Sequence, residues 1–508
     1  MKSKLKFLLL ALVALIVVLS LASCKKQIGN AEDLHKATDG GEIEVTNNKV
    51  SKYKGEKSKI EISNDFTIDT SDDFFTAIIG NFRQQNFVPG RILEKSVING
   101  NGHTITITGS SNGKLGRYAS GLFARLMNCE VRDLHIVYDI EVNLNNKNSM
   151  GGICAVAENT TFTNCTVTYK KGAGFYGYRG GGLAGAIYGG KIENCAVYGD
   201  FKTNASYFGG IVGGISSDGV INNCTFKGAI RANDLHNAEI GGVAGYVDGK
   251  LTNTKAILAG FSVSGKTDKW TNYEAYCGAL AGKIYKQVEN CLVEFTDGAY
   301  IESIALSDGV FRTIMHTGAV AGYASKDASI KNVLIDGMAD LKMNVNFPDK
   351  STDVALGIYK NECNNIEKVY YLDNPFSHNL IRRETATLSG DVYSFTMKDK
   401  ECKVTLVKTP HPDDPAAYKI SALIFTVSGV DYHLTTKVDD DPLKPCFKAN
   451  IDGFCYQVTA SYEGGFVDFS KTHNRTPIGG ATCVTDYAEV VFDSDVWTTD
   501  EFGKVTLK

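Results

Sequence analysis

Gly181-Gly182-Leu183-Ala184-Gly185, followed by Ile192-Glu193-Asn194-Cys195-Ala196-Val197, decides how the chain is read, because it recurs. Downstream, Gly209-Gly210-Ile211-Val212-Gly213 leads to Ile221-Asn222-Asn223-Cys224-Thr225-Phe226, and Gly241-Gly242-Val243-Ala244-Gly245 leads to Leu251-Thr252-Asn253-Thr254. Gly278-Ala279-Leu280-Ala281-Gly282 then leads to Val288-Glu289-Asn290-Cys291, and Gly318-Ala319-Val320-Ala321-Gly322 to Ile330-Lys331-Asn332-Val333. Upstream lie Gly152-Ile153 with Phe162-Thr163-Asn164-Cys165, and Gly121-Leu122 with Val131-Arg132-Asp133-Leu134. The asparagine position falls at Asp133, Asn164, Asn194, Asn223, Asn253, Asn290 and Asn332, in steps of 31, 30, 29, 30, 37 and 42 residues. Self-similarity at such a period marks a solenoid, in which one copy cannot bury its apolar face and a stack can.

Period two explains one copy. Ile192 faces inward at the end of one short strand, and Cys195 and Val197 face inward on the next, with Ala196 outward. Asn194 sits at the bend, where asparagine tolerates a left-handed backbone. Stacked on its copies, its amide can bond the same amide one repeat away, giving an expected structural ladder. The small residues of the glycine motif serve tight turns or close approach of backbones. Eight to ten coils at about 4.8 Å would make a rod of roughly 40–50 Å.

Cys165, Cys195, Cys224 and Cys291 share one inward position with Leu134, Thr254 and Val333. Cysteine there acts as a small packed hydrophobe. In-line stacking without a C-x-x-C pair argues against a zinc site, and no metal or cofactor is expected.

The rod's entry is Ile98-Asn99-Gly100-Asn101-Gly102-His103-Thr104-Ile105, which resembles the opening coil of right-handed β-helix proteins. Before it, Thr70-Ser71-Asp72-Asp73-Phe74-Phe75 opens an expected amphipathic helix over 70–85, capped by Thr70 and covering the open strand edges of the rod. Across 98–372 the copies resemble the GLUG-motif repeat of bacterial cell-surface proteins, with Gly182-Leu183-Ala184-Gly185 matching its Gly-Leu-x-Gly core. That resemblance implies surface display and an adhesive or binding role, and no catalytic residue set.

The amino terminus reads as an export signal. Lys2, Lys4 and Lys6 precede an apolar run over 7–21, too short for a membrane span of about 20 residues. Leu21-Ala22-Ser23-Cys24 looks like a bacterial lipobox, with Cys24 acylated. The expected localisation is therefore extracytoplasmic, with the membrane as a partner through the N-terminal lipid. Loss of the three lysines takes the net charge from −4 to −7. Residues 24–58 are polar without hydrophobic periodicity and read as a tether. The domain reading is thus a signal peptide over 1–23, a tether over 24–58, a β-helix over 59–373 and a β-rich module over 374–508.

The 508-residue chain is 43% hydrophobic and 22% charged, ordinary globular values without the basic footprint of a nucleic-acid binder. Beyond 389 the pattern changes to short strands at 392–397, 402–407, 418–427, 432–437, 447–451, 454–462 and 466–469, punctuated by Ser428-Gly429, Asp452-Gly453 and Gly464-Gly465. This predicts a β-sandwich-like module. Cys402, Cys446, Cys455 and Cys483 allow up to two disulfides in three pairings. The fold class expected is all-β: a right-handed parallel β-helix with an N-terminal helical cap and this C-terminal module.

No nucleophile elbow, H-E-x-x-H, P-loop or EF-hand loop is present, so no catalytic residue is assigned. Asp413-Asp414 and Asp439-Asp440-Asp441 lack calcium-loop spacing and read as solvated turns. Aromatic residues carry the functional signal. Tyr176, Tyr178, Arg179, Tyr207, Phe208, Trp270, Tyr273 and Tyr276 lie just before the glycine motif, so equivalent positions stack on one side of the rod. They form either a binding surface for a glycan or protein ligand, or rings packed on one another over the core. The function expected is adhesin-like binding at the cell surface. The alternatives are a polysaccharide lyase or glycoside hydrolase, which needs a cluster of Asp, Lys and Arg in a groove, and a structural spacer.

Overall fold

The structure is a computed structural model. It describes residues 26–38, 42–46, 49–70, 92–109, 121–216, 218–266, 273–305, 313–337, 339–345, 354–355, 357–371, 380–397, 400–412, 414–439, 441, 443–451, 454–461, 465–473, 497–499 and 505–507. Cys24, Trp270, Cys483 and all of the helix expected over 70–85 except Thr70 lie outside the described residues. Among those described, the protein is nearly all β, with one helix, Ala31–Thr38.

One sheet holds 35 strands, and all its pairings are parallel. Each strand lies beside the equivalent strand of the next repeat. Ile192 pairs with Ile221, Ile221 with Leu251, Leu251 with Val288, Val288 with Ile330, and Ile330 with Ile366. The register is that of a chain returning over itself once per repeat, compatible with a β-helix solenoid. The steps of 37 and 42 residues leave this column in register, so the added residues sit elsewhere in the repeat.

The core follows the alternation. Leu122, Ile153, Leu183, Ile211, Val243, Leu280 and Val320 make one fully buried column, and Ile192, Ile221, Leu251, Val288 and Ile330 another. At about 25 cal/mol per Å² of apolar surface, these continuous stripes supply the main drive to stack. The glycine motif serves close approach more than turning. Gly181 has no positive φ, yet a Cβ there would meet the Ala184 oxygen at 2.1 Å and the Val212 Cα of the next repeat at 2.6 Å.

The bends use a different device. Asp133, Asn164, Asn194, Asn223, Asn253, Asn290 and Asn332 all have φ between 48° and 53°. Each is left-handed, where asparagine and aspartate are the least penalised non-glycine residues. The amide ladder is discontinuous. Asn164 Nδ2 donates to Asp133 Oδ1 at 3.1 Å, Asn223 to Asn194 at 2.7 Å and Asn332 to Asn290 at 2.9 Å. Asn253 turns instead to Oδ1 of Asn222 at 2.8 Å.

The cysteine that follows does more than fill space. Cys165, Cys195, Cys224 and Cys291 each donate the thiol proton to the carbonyl two residues back, at 3.2–3.3 Å. Thr254 makes the same bond with its hydroxyl at 2.8 Å. A second bend column repeats the pattern: Lys95, Asn128 and Asn159 are left-handed, and Ser96, Cys129 and Thr160 after them bond the carbonyl two residues back.

The tether reading of 24–58 is corrected. Lys26–Ile28 pairs in parallel with Ile60, Glu61 and Ile62, so the parallel sheet starts there. Leu34 and Ala37 of the helix are buried against the same core as Ile28. Three-residue strands and a two-turn helix are too short to show periodicity in so polar a stretch.

The C-terminal region contains two five-stranded antiparallel sheets. Tyr393, Val404, Leu423 and Phe425 of one share a buried core with Phe447, Val458, Val467 and Phe469 of the other. Ser428 (φ 50°) and Gly429 (φ 82°) join Val427 to Val430 in a two-residue hairpin, where successive positive φ values match the strand twist. Leu380–Thr385 and Thr387–Ser389 are further strands, short and polar, that alternation did not reveal. Cys446 is a buried free thiol.

Candidate binding face

The strand before the glycine motif points alternate residues outward. Phe208, Ile240 and Cys277 are buried, so their neighbours Tyr207, Glu239 and Tyr276 face the other way. Arg179, Tyr207, Glu239, Tyr276 and His316 are register partners on five successive repeats. Beyond the motif, Val247, Ile284 and Ala324 face inward and Tyr246, Lys283, Tyr323 and Lys360 form a second outward column.

The two columns meet in one network of rings and cations. The Arg179 guanidinium lies 4.8 Å from the Tyr178 ring centre and 5.4 Å from that of Tyr207, and donates to the Tyr188 hydroxyl. Tyr207 stands edge-on to Tyr178 at 5.2 Å and to Tyr246 at 5.4 Å. Lys283 Nζ lies 4.1 Å over the Tyr276 ring and 2.7 Å from the Glu239 carboxylate. Tyr276 stacks on His316 at 4.6 Å, and Lys360 is about 6 Å from both Tyr276 and Tyr323. Each cation–ring contact contributes about 0.5–1 kcal/mol, more where water is excluded.

The electrostatics are those of a partly dry surface. Burial raises the Glu239 carboxyl above its ordinary range, against the opposing pull of Lys283. Burial and the Glu239 charge push Tyr207 up to about 12. The hydrogen bond from the Tyr276 hydroxyl holds the Glu274 carboxyl low. Burial lowers His316 to about 4, and neither ring nitrogen has a hydrogen-bond partner among the described residues.

Of the eight residues expected from sequence, four meet here. Tyr178 is 43% exposed and offers an open ring, whereas Tyr276 is only 9% exposed and acts as a support. Tyr207 and Arg179 lie between these extremes. Phe208 is corrected: it is fully buried and packs on Phe175 and Phe201, because it falls on the inward phase of the strand. Tyr176 lies elsewhere, folded over Gly174, and Tyr273 stands against His236. Sequence reasoning missed Tyr246, Lys283 and Tyr323. Each is the residue directly after the last glycine of the motif, so alternation carried through the glycines would have found them.

Among the described residues, no cluster of three metal-ligating side chains is present and no helix is long and apolar enough to cross a membrane. Compared with protein-family models, with curated proteins and with solved structures, the chain gives no significant match.

Proposed function

We propose that the protein is a lipid-anchored, extracytoplasmic GLUG-repeat β-helix of right-handed coil that binds a glycan or protein ligand at the cell surface, in an adhesin-like role. The helix Ala31–Thr38 serves as the cap of the rod, and the two antiparallel sheets form a sandwich-like C-terminal module. The observation that supports binding is the continuous ring and cation face from Tyr178 to Lys360, which spans successive repeats and suits an extended ligand. Flat, partly immobilised rings beside cations lose little entropy on contact with a sugar ring or peptide.

The test is retention of the protein on a panel of immobilised polysaccharides, with fragment release scored in parallel. Retention without fragments, weakened by Tyr178→Ala with Arg179→Ala, supports the reading. Fragments would favour a lyase or hydrolase on the same scaffold, for which the Asp and Lys side chains beside Tyr285 are the motivating feature. Failure to bind any glycan or surface protein would leave a spacer.

A further inference from the structure

We propose that the groove beside Tyr285, which adjoins the ring and cation face at Tyr323, is a further binding site, and that it takes a neutral, hydroxyl-rich glycan chain lying along the rod. This rests on the glycan-binding reading above and adds to it a site and a ligand class. The groove has a volume of ≈ 1100 Å³ and lies where the strand after the glycine motif bends into the next. One wall is the column Lys250, Gln287, Ser329 and Asn365, register partners on four repeats. The opposite wall carries Asp248, Tyr285, Ser325 and Glu362, each the first residue past its strand.

The charge pattern chooses the ligand. Four lysines and five carboxylates line the groove, and they interleave. Lys286 lies 3.6 Å from Asp248, Gln287 donates to Glu289 at 2.8 Å, and Asn365 donates to Ser329 at 2.9 Å. A polyanion would meet a carboxylate on nearly every repeat, and a polycation a lysine. A hydroxyl both donates and accepts, so a neutral sugar chain satisfies both kinds of partner. Tyr285 and Tyr323 supply the apolar component, with ring centres 6.3 Å apart. The Tyr323 hydroxyl donates to Glu362 at 2.8 Å, and its ring face is the part offered to a ligand. Donors and acceptors then repeat along the rod at about 4.8 Å.

The experiment is affinity electrophoresis of the full-length protein in gels containing a neutral glucan, a polyuronate or a sulfated glycan. The expected result is retardation by the neutral glucan, insensitive to added salt. Tyr285→Ala, which leaves the ring and cation face whole, should weaken it about tenfold, and Tyr323→Phe should leave it intact, with circular dichroism confirming the fold of each variant. Preference for the charged glycans, lost in salt, overturns the ligand class. Neutral binding abolished by Tyr178→Ala with Arg179→Ala but untouched by Tyr285→Ala overturns the site while leaving the binding reading standing. Binding of a surface protein with no glycan retained overturns the inference and leaves only the protein branch of that reading.

Discussion

The backbone N–H of Cys165 donates to the Cys195 thiol at 3.3 Å, one repeat further along the stack. Cys195 N–H does the same to Cys224 at 3.5 Å, and Cys224 N–H to the Thr254 hydroxyl at 3.4 Å. Cys195, Cys224 and Thr254 therefore each accept from the repeat before them and donate within their own. Cys195→Ala removes the acceptor of a buried N–H and should lower stability by about 1–3 kcal/mol. Cys195→Thr, which places the residue found at 254 in the same column, should lower it by less. Calorimetric melting of the two variants checks this; equal losses would contradict a hydrogen-bonding role for the thiol.

The bend asparagines are held more by backbone conformation than by their amides. The side chain of Asn194 accepts from Asn223 at 2.7 Å, but the residue is exposed. Asn194→Ala should cost about 1–2 kcal/mol, the left-handed penalty of an ordinary L residue. Asn194→Gly keeps the conformation and loses the amide, and its melting temperature should lie closer to that of the parent chain. A larger loss for glycine than for alanine would mean that the amide ladder, and not the backbone conformation, holds the bend.

Lys283 and Glu239 are a nearly buried pair, with side chains 19% and 10% exposed. Lys283→Ala leaves the carboxylate in a dry site and should destabilise by about 2–3 kcal/mol, somewhat less than for a fully buried pair. Adding Glu239→Gln should recover part of that loss. Additivity of the two changes in a denaturant double-mutant cycle would show that the pair is not coupled.

Acid should loosen the same face. His316 faces Glu274 at 3.8 Å, the cations Lys283 and Lys360, and the rings of Tyr276 and Tyr359. Its value of about 4 in the fold lies below the ordinary 6.5, so the folded state favours the neutral ring. The stability it contributes is complete above 6.5 and declines as pH falls toward 4, by about 2 kcal/mol after allowance for solvent screening. His316→Gln should flatten that part of the stability–pH curve, and an unchanged slope would remove His316 as its source.

The repeat was legible because it combines side-chain identity with spacing: Leu183, Ile192, Asn194 and Cys195 have visible copies. The second bend column was not, because Lys95-Ser96 breaks the asparagine of Asn128-Cys129 and Asn159-Thr160, and the residue after the bend differs in every copy. Lys26–Ile28 escaped because a three-residue strand has no period to detect. The aromatic face was half legible. Tyr178, Arg179 and Tyr207 stood out as a cluster, whereas Lys283 and Glu239 become part of it only when the stack brings residues 44 apart in sequence to 2.7 Å.

The buried thiols also set a condition on how the chain matures. Burial pushes Cys291 up to about 12 and raises Cys195 and Cys277 as well, while the hydrogen bond with the Cys195 thiol, together with burial, raises Cys165, so in the stacked state almost no thiolate is available to an oxidant. The unfolded chain has no such protection. In an oxidising compartment stacking must therefore outpace sulfur oxidation, and a chain that lags there would be caught in crosslinks between residues meant to sit on neighbouring repeats.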